Sequence, residues 1–303
     1  MDKLETLKQE NSELPALIDA AERVNDIDTL VKLKRQFYAN KVEIIDLLSV
    51  KNEKRTITAR ELKTKVDSMP NAIRYETGVK ALDEHLMGGF EVGSLIQLAG
   101  ASGAGKTTLF LKIISNIAKY TNSAFFNFEM GDRRIVKKLT KLLVEDKQWD
   151  NLLINSETRD INDLIMEITL MANDGVKFFA VDSRMKLRKS GSEAEYQKIS
   201  LMSSMLSECA IKNDIIILMI NQISEEDLKS GRLSFKGSGD QIFDSDMALF
   251  IVVGEEEVRN LICKKNRQDD HLFHFELPKD YDNTYNVVET VYEDIPSVEM
   301  SIL

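Results

Sequence analysis

The stretch Gly100–Thr107 restricts what this chain can fold into more than any other part of the sequence. It reads Gly-Ala-Ser-Gly-Ala-Gly-Lys-Thr, which fits the pattern G-x-x-x-x-G-K-[ST]. The apolar run Leu95–Leu98 precedes it, and an amphipathic stretch with Leu109 and Ile113 follows. Glycines let successive backbone N–H groups turn towards phosphate oxygens, and the helix N-terminus adds its positive dipole end. The sequence therefore predicts a strand–loop–helix unit that binds a nucleoside triphosphate.

The residues of this loop have separate predicted roles. The Lys106 ammonium is expected to reach the β- and γ-phosphate oxygens, and the Thr107 hydroxyl is expected to bind Mg²⁺. ATP and Mg²⁺ are therefore the expected ligands. The residues predicted to contact the nucleotide are Gly100, Ala101, Ser102, Gly103, Ala104, Gly105, Lys106, Thr107 and Thr108.

Three polar residues at the ends of other apolar runs are expected to complete the site. Asp182 follows Phe178–Val181, the position of a carboxylate that holds the magnesium shell. Glu129 follows a run ending at Phe128 and is predicted to activate the attacking water, although a carboxylate that starts a helix would be an alternative. Gln222 ends the next run, where an amide could sense the γ-phosphate or simply belong to a turn.

From about residue 72 onwards, short apolar runs alternate with amphipathic stretches. This alternation predicts an α/β fold with a mainly parallel sheet flanked by helices. The predicted strands of that sheet are Leu95–Leu98, Ala124–Phe128, Phe178–Val181, Ile215–Ile220 and Met247–Val253. A terminal antiparallel pair is predicted at Leu261–Cys263 and Leu272–Leu277.

Residues 1–70 contain no strand-like run and predict an α-helical N-terminal segment. A long amphipathic helix is expected to start with Asp28 as its N-cap, and the spacing of Thr58 and Glu61 fits a capping box. These helices could pack on a core of their own or dock on a neighbouring subunit. The expected organisation is this segment, an ATPase domain over residues 71–285, and an acidic tail over residues 286–303.

Composition limits the classes of partner. The net charge of -10 argues against a broad basic surface, but residues 254–303 alone carry -7, whereas residues 71–253 carry only -3. Two cysteines, Cys209 and Cys263, and the lack of an apolar leader behind Met1 predict a reducing, cytoplasmic location. The apolar runs Ile215–Ile220 and Met247–Val253 are both too short for a membrane span.

Several short motifs, taken in order, resemble known nucleotide-driven proteins. Thr77–Asp83 and Gly88–Phe90, followed by the phosphate loop, are similar to the entry of RecA-type ATPases. Asn127–Met130 resembles the Ser-Leu-Glu-Met strand end of the hexameric replicative helicases of the DnaB type. Segments similar to other motifs of that family lie at Val181–Leu187, Ile220–Gln222, Gly237–Gly239 and Lys265–Arg267. The resemblance covers roughly residues 74–280 and implies a RecA-like ATPase core.

The resemblance implies further roles. Glu129 would be the catalytic glutamate, and Lys265 and Arg267 would reach across a subunit interface to the γ-phosphate of a neighbour, as an arginine finger does. The implied assembly is a homo-oligomer, a hexamer, that translocates on single-stranded DNA and unwinds duplex, with a loader or primase as a further partner. Part of residues 1–70 would correspond to the linker helix that docks on the adjacent subunit.

Two basic segments would line the central channel of such an assembly. The first basic segment, residues 184–189, follows Asp182, and the second basic segment, residues 229–236, follows Gln222. Each could instead be an ordinary solvated loop. The residues predicted to contact DNA are Arg184, Lys186, Arg188, Lys189, Lys229, Arg232 and Lys236.

The sequence also departs from the family pattern. Asp182-Ser183-Arg184 lacks the usual tyrosine, and Gln268–Asp270 stands where the family has Asn-Gly. Two alternatives therefore stay open. One is a recombination ATPase similar to RecA or RadA, which forms filaments on DNA. The other is a regulatory assembly ATPase similar to KaiC, for which DNA is irrelevant.

Overall fold

The computed structural model describes residues 3–50, 56–69, 72–189, 194–229, 232–236, 241–254, 258–269 and 271–277. Its first helices are α1 (Lys3–Arg23), α2 (Ile27–Val50), α3 (Ala59–Asp67), α4 (Lys80–His85), α5 (Lys106–Ile117) and α6 (Asp132–Leu139). The remaining helices are α7 (Asp146–Asn151), α8 (Ile161–Asn173), α9 (Glu195–Asn213), α10 (Glu225–Lys229) and α11 (Gln241–Asp244). A 3₁₀ turn covers Arg184–Lys186.

Eight strands form the main sheet. They are β3 (Ser94–Gly100), β4 (Ser123–Asn127), β5 (Leu152–Asn155), β6 (Phe178–Asp182), β7 (Ile216–Gln222), β8 (Met247–Val253), β9 (Arg259–Asn266) and β10 (His274–Leu277). Their order is β10-β9-β8-β3-β7-β6-β4-β5, and the strands from β8 to β5 are parallel. The short strands β1 (Arg74–Tyr75) and β2 (Phe90–Glu91) pair separately. The predicted mainly parallel sheet with flanking helices is confirmed.

Both faces of the sheet are buried, which explains why its strands are continuous apolar runs rather than alternating ones. Successive side chains of a strand point to opposite faces, so Leu95 and Ile96 enter different hydrophobic clusters. One cluster contains Ile96, with Leu109 and Ile113 of α5, and the other contains Leu95, with residues of α8 and α9. The sheet is therefore fixed between two helical layers.

The parallel arrangement brings one set of strand ends together. The carboxyl ends of β3, β4, β6 and β7 all lie at the same edge of the sheet, where ligands bind in open α/β sheets. Strand β9 is antiparallel to β8, with Asn266 opposite Met247 at the start of β8. The last residues of β9 therefore lie at the other edge. The terminal pair β9 and β10 is antiparallel, as predicted.

The N-terminal helices form an antiparallel hairpin. Two ion pairs join α1 to α2. The Lys3–Glu43 pair (2.6 Å) lies at the start of α1, and the Glu22–Lys34 pair (2.8 Å) lies at its end. The prediction that Asp28 caps the long helix is wrong. Helix α2 already begins at Ile27, and the Asp26 carboxylate accepts a hydrogen bond of 3.1 Å from the Thr29 N–H instead.

Helix α2 lies against the α/β part of the chain through ion pairs of 2.6 Å, Arg35 to Asp163 and Lys212 to Asp46. Helix α3 has the predicted capping box, in which Thr58 and Glu61 exchange hydrogen bonds. It buries none of its residues. In the part of the chain that the structure describes, no helix has the length and apolar character to cross a membrane. The predicted tail, residues 286–303, lies outside the described residues.

Candidate nucleotide site

The phosphate loop connects the central strand β3 to helix α5. Gly103 and Gly105 have φ values of +78° and +99°, a region that side chains with a Cβ rarely adopt. Gly105 is the N-cap of α5, so the loop delivers the helix N-terminus directly to a cleft of about 210 Å³. The residues that line this cleft are Gly103, Gly105, Lys106, Thr107 and Thr108. The loop thus has the geometry expected for binding phosphate.

The Lys106 side chain folds back over its own loop. Its Nζ donates hydrogen bonds of 2.8 Å to the carbonyl oxygens of Gly100 and Ala101. Burial lowers the pKa of this ammonium, while the carboxylates of Asp182 and Glu129 act in the opposite direction. The cation is therefore held at the mouth of the loop by neutral acceptors, which phosphate oxygens can replace.

Asp182 lies beside Thr107 at the end of β6. The Thr107 hydroxyl donates a hydrogen bond of 3.4 Å to Asp182 Oδ2, and the aspartate is only 1% exposed. Burial raises the pKa of Asp182 to about 6, and the negative charge of Glu129 adds to that shift. A hydroxyl and a buried carboxylate that a second carboxylate repels form a donor set that fits Mg²⁺, which prefers oxygen ligands.

This raised pKa predicts how stability depends on pH without metal. The unfolded state releases the Asp182 proton near pH 3.8 and the native state near pH 6, so the native state loses stability as the pH rises through that interval. The loss is complete above pH 6 and amounts to about 3 kcal/mol. We therefore expect Asp182→Asn to raise the free energy of unfolding of the metal-free protein at pH 7.5.

Urea unfolding in a chelator measures this effect. At pH 5 the stabilisation by Asp182→Asn should fall to about half of its value at pH 7.5, because the native carboxyl is then mostly protonated. Equal stabilisation at the two pH values would show that the gain does not come from removing a buried charge.

Glu129 lies two residues beyond β4, at the rim of the same edge. The turn that carries it is fixed by Asn127, whose side chain donates to Met130 O (2.6 Å) and accepts from Met130 N (3.0 Å). The Phe128 N–H also donates to Asp182 O (2.8 Å). The Glu129 carboxylate itself accepts a hydrogen bond from the buried hydroxyl of Ser183. The buried Ser183 side chain thereby orients the solvent-exposed carboxylate of Glu129.

Gln222 ends β7 next to the phosphate loop, opposite Gly100 in the parallel pairing. The preceding residue, Asn221, is fully buried and donates from Nδ2 to Gln97 Oε1 of β3 (2.7 Å). The structure therefore brings Lys106, Thr107 and Asp182 together with Glu129 and Gln222 at a single edge, as the strand-end pattern predicts.

Arg267 lies at the opposite edge, whereas Lys265 is level with Gln97 in the middle of β3. Lys265 Nζ donates to Ile242 O (2.7 Å), and burial and the neighbouring Arg267 charge lower the pKa of Lys265. Arg267 is exposed, its backbone N–H donates to Asp246 O (2.9 Å), and its guanidinium lies 3.7 Å from the Asp246 carboxylate. Asp246 in turn pairs with Leu95 at the start of β3, about 16 Å along the strand from Gly100. This separation keeps the Arg267 guanidinium from the phosphate loop of its own chain.

Comparison with known proteins agrees with this geometry. Residues 75–148 match the family described as DnaB-like helicase C terminal domain. A solved structure of a DnaB-like replicative helicase and its interactions with primase superposes with a TM-score of 0.59 at 17% identity, covering 89% of this chain and 74% of that chain. The chain has a DnaB-like, RecA-type ATPase fold.

Curated relatives give the same fold family from sequence. The DNA repair protein RadA of Haemophilus influenzae is 24% identical over 63% of this chain and 42% of its own length. The DNA repair and recombination protein RadB of Archaeoglobus fulgidus is 27% identical over 48% of this chain and 69% of its own length. The match to RadA thus spans about two fifths of that protein.

The first basic segment does not present all its charges to solvent. Lys186 and Arg188 are exposed and Lys189 is half-buried. Arg184 is only 3% exposed, with its guanidinium turned inwards. The prediction that Arg184 contacts DNA is therefore corrected: its donors bind protein oxygens instead of facing a channel. Residues 190–193, which follow this segment, lie outside the described residues.

The second basic segment is closed at its base. Ile223 and Phe235 form an antiparallel bridge, and the Lys236 N–H donates to Gln222 O (2.8 Å). Arg232 and Lys236 are exposed, and Lys229 is the last residue of α10. Residues 230–231 and the predicted Gly237–Gly239 motif lie outside the described residues.

Three residues with clear structural roles at the site were not predicted from sequence. They are Asn127, Ser183 and the buried Arg184. Ser183 carried one available signal, because it directly follows the strand-end Asp182, on the strand beside the one that leads to Glu129. The inward direction of Arg184 had no such signal, since its partners lie 37 and 52 residues further along the chain.

Proposed function

We propose that this protein is an ATP-dependent DNA translocase and helicase of the DnaB type, which hydrolyses ATP between subunits and moves on single-stranded DNA. One observation carries the proposal. The residues predicted to bind nucleotide lie at one edge of the sheet, and Arg267, at the end of the Lys265–Arg267 element, lies at the other. This polarity suits a ring in which one subunit completes the site of the next.

The chain's own residues would divide the work as follows. Lys106 and the backbone of Gly103–Gly105 bind the phosphates, and Thr107 and Asp182 hold the magnesium ion or its water shell. Bound magnesium would neutralise charge on the phosphate oxygens. Glu129 accepts a proton from the attacking water, and Gln222 responds to the γ-phosphate.

Lys265 and Arg267 of one subunit would stabilise the charge that develops on the phosphates bound by its neighbour. Lys186, Arg188 and Lys189, with Lys229, Arg232 and Lys236, would contact the DNA backbone.

The N-terminal segment supports the oligomeric part of the proposal. Helix α3 presents Leu62 and Val66 to solvent with 50% and 56% of their surface exposed, and none of its residues is buried in the part of the chain that the structure describes. An amphipathic helix with an exposed apolar side suits docking on the adjacent subunit. We also propose a loader or primase as a partner, because the DnaB-like helicase of known structure is described with its interactions with primase. A replicative role would place the protein in the cytoplasm.

The proposal is tested with the purified chain, ATP and two DNA substrates. Single-stranded DNA should raise ATP hydrolysis several-fold, and a forked duplex should be opened only when ATP and Mg²⁺ are present. The stimulation should fall as salt increases, because the DNA contacts are to phosphates. ATP hydrolysis that is indifferent to DNA would refute the motor and favour the regulatory assembly.

A second candidate is a recombination ATPase similar to RadA, which the RadA and RadB matches favour. It uses the same phosphate loop and strand-end carboxylates, so ATP hydrolysis alone does not separate the two functions. Strand exchange between homologous DNAs without fork opening would establish it in place of the helicase.

Ser183 provides a test of the role of Glu129. Ser183→Ala removes the hydroxyl that donates to the carboxylate, so Glu129 should lose its orientation, and kcat should fall about tenfold with little change in KM for ATP. In a Glu129→Gln background the same substitution should have almost no further effect. Additive losses would show that Ser183 acts independently of Glu129.

A further inference from the structure

Arg184 is a buried cation that the proposed DNA contacts do not use. Its Nε donates to Asn221 Oδ1 and its Nη2 donates to Lys236 O, both at 2.7 Å. Burial of a guanidinium is costly unless its N–H groups are paired, and here the fork of donors is matched to acceptors on two other segments. The side chain therefore fixes the relative position of three parts of the chain.

The first contact leads to the nucleotide. Asn221 directly precedes Gln222, and its Nδ2 donates to Gln97 Oε1 on β3, the strand that enters the phosphate loop. All three side chains, Gln97, Asn221 and Arg184, are at most 3% exposed. A continuous buried chain of hydrogen bonds thus runs from the phosphate-loop strand through β7 to the start of the first basic segment.

The second contact leads to the second basic segment. Lys236 accepts the Arg184 hydrogen bond with its carbonyl and donates its own N–H to Gln222 O. A further hydrogen bond of 3.1 Å from Ser224 N to Ser234 O joins the end of β7 to the same segment. The second basic segment is therefore attached to Gln222 by a backbone hydrogen bond, whereas the first basic segment is attached to the neighbouring Asn221 through the Arg184 side chain.

From this arrangement we infer that Arg184 is a positioning residue that couples the first basic segment to the strand end at Gln222, to which a backbone hydrogen bond already attaches the second basic segment. A displacement of Gln222 when nucleotide binds moves the second segment through the backbone and the first segment through Arg184. The inference rests on the proposed function for the nucleotide response, but it needs no DNA. It assigns a hydrogen-bonded connection between the nucleotide edge of the sheet and each basic segment.

Hydrogen–deuterium exchange of the full chain tests the coupling, with Mg²⁺ and the slowly hydrolysed analogue ATPγS as probe. In the unmodified protein, peptides covering residues 184–189 and 224–236 should both change their exchange when the analogue is added. In Arg184→Gln the response of the first segment should fall at least about fivefold, while the second segment should still respond. An undiminished response of both segments in Arg184→Gln, or no response of the first segment in the unmodified protein, would overturn the inference.

Arg133→Gln is the matched control. It makes the same chemical change, but the Arg133 side chain is exposed on α6 and has no part in the proposed nucleotide or DNA contacts, so the responses of both segments should be retained. If Arg184→Gln does not fold, Arg184→Lys keeps the positive charge and loses the fork of donors, and its first segment should respond less than in the unmodified protein. A full response in folded Arg184→Lys would contradict the coupling.

Binding of single-stranded DNA by the unmodified protein is measured in parallel. If the protein binds no DNA while the exchange responses remain coupled, the proposed helicase function fails and the role of Arg184 stands. If DNA binds and the segments respond independently of Arg184, the proposed role of Arg184 fails and the proposed helicase function stands.

Discussion

Replacing Lys106 with alanine should abolish ATP hydrolysis, with kcat lowered by about a thousandfold, and should remove DNA unwinding with it. The reason is electrostatic: the ammonium at the mouth of the phosphate loop is the only loop side chain that can neutralise charge on the β- and γ-phosphates. Steady-state hydrolysis of ATP with and without single-stranded DNA measures the loss.

This loss should occur without unfolding. Lys106 is a partly buried cation whose pKa is lowered by burial, so its removal relieves a desolvation penalty and frees the carbonyl oxygens of Gly100 and Ala101 for water. The thermal unfolding midpoint should stay close to that of the unmodified protein. Lys80→Ala is the matched control, since Lys80 is exposed and its ion pair with Glu84 lies on the surface. Hydrolysis retained in a folded Lys106→Ala protein would mean that this loop is not the catalytic phosphate site.

The strands that place the phosphate loop could be predicted because a sheet buried on both faces needs uninterrupted apolar runs. Met247–Val253 was predicted with its observed bounds for this reason. Strand β5 could not be predicted: Leu152–Asn155 is short, lies at the edge and exposes its two middle residues. Its register comes from pairing with β4, which is information from elsewhere in the chain.

Residues 1–70 were predicted to be α-helical, but the bounds of the first helix were not predicted, for a different reason. The buried residues Leu4, Leu7, Leu14 and Ala21 form a narrow stripe along α1, in an otherwise polar sequence that also contains Pro15. Such a stripe buries little on its own, so the helix depends on packing against α2 rather than on its own pattern. The neighbouring prediction at Asp28 failed because α2 begins one residue earlier, at Ile27, and the carboxylate that accepts from the Thr29 N–H is that of Asp26.

In the candidate site, the residue types were predictable where parallel strands end. Asp182, Glu129 and Gln222 each follow an apolar run, and parallel pairing brings them to one edge without further information. The direction of the Arg184 side chain was not predictable, because charged residues in a short run usually face water. Its burial depends on Asn221 and Lys236, which only the folded chain places beside it.

A subunit-mixing experiment should show whether the Lys265–Arg267 element acts between subunits. Glu129→Gln and Arg267→Ala proteins should each hydrolyse ATP at a small fraction of the normal rate, because one lacks the base and the other lacks the cation. Their one-to-one mixture should recover activity, up to about a quarter of the normal number of complete sites. That fraction follows from a head-to-tail ring, in which a site is complete only when both of its contributing subunits supply intact residues.

The fold determines whether Arg267 can act within its own chain or only on a neighbouring subunit. Arg267 is level with the start of β3, and the phosphate loop begins at the other end of that strand, so a single chain cannot bring Arg267 to its own nucleotide. Mixing at several ratios should therefore give a maximum of ATP hydrolysis near equal proportions. Arg259→Ala, changed near the beginning of β9, is the control. Its mixture with Arg267→Ala should hydrolyse ATP no faster than the sum of the two proteins measured separately. Mixtures that show only the sum of the two residual activities at every ratio would exclude shared sites and leave Arg267 as a partner of Asp246 in its own chain.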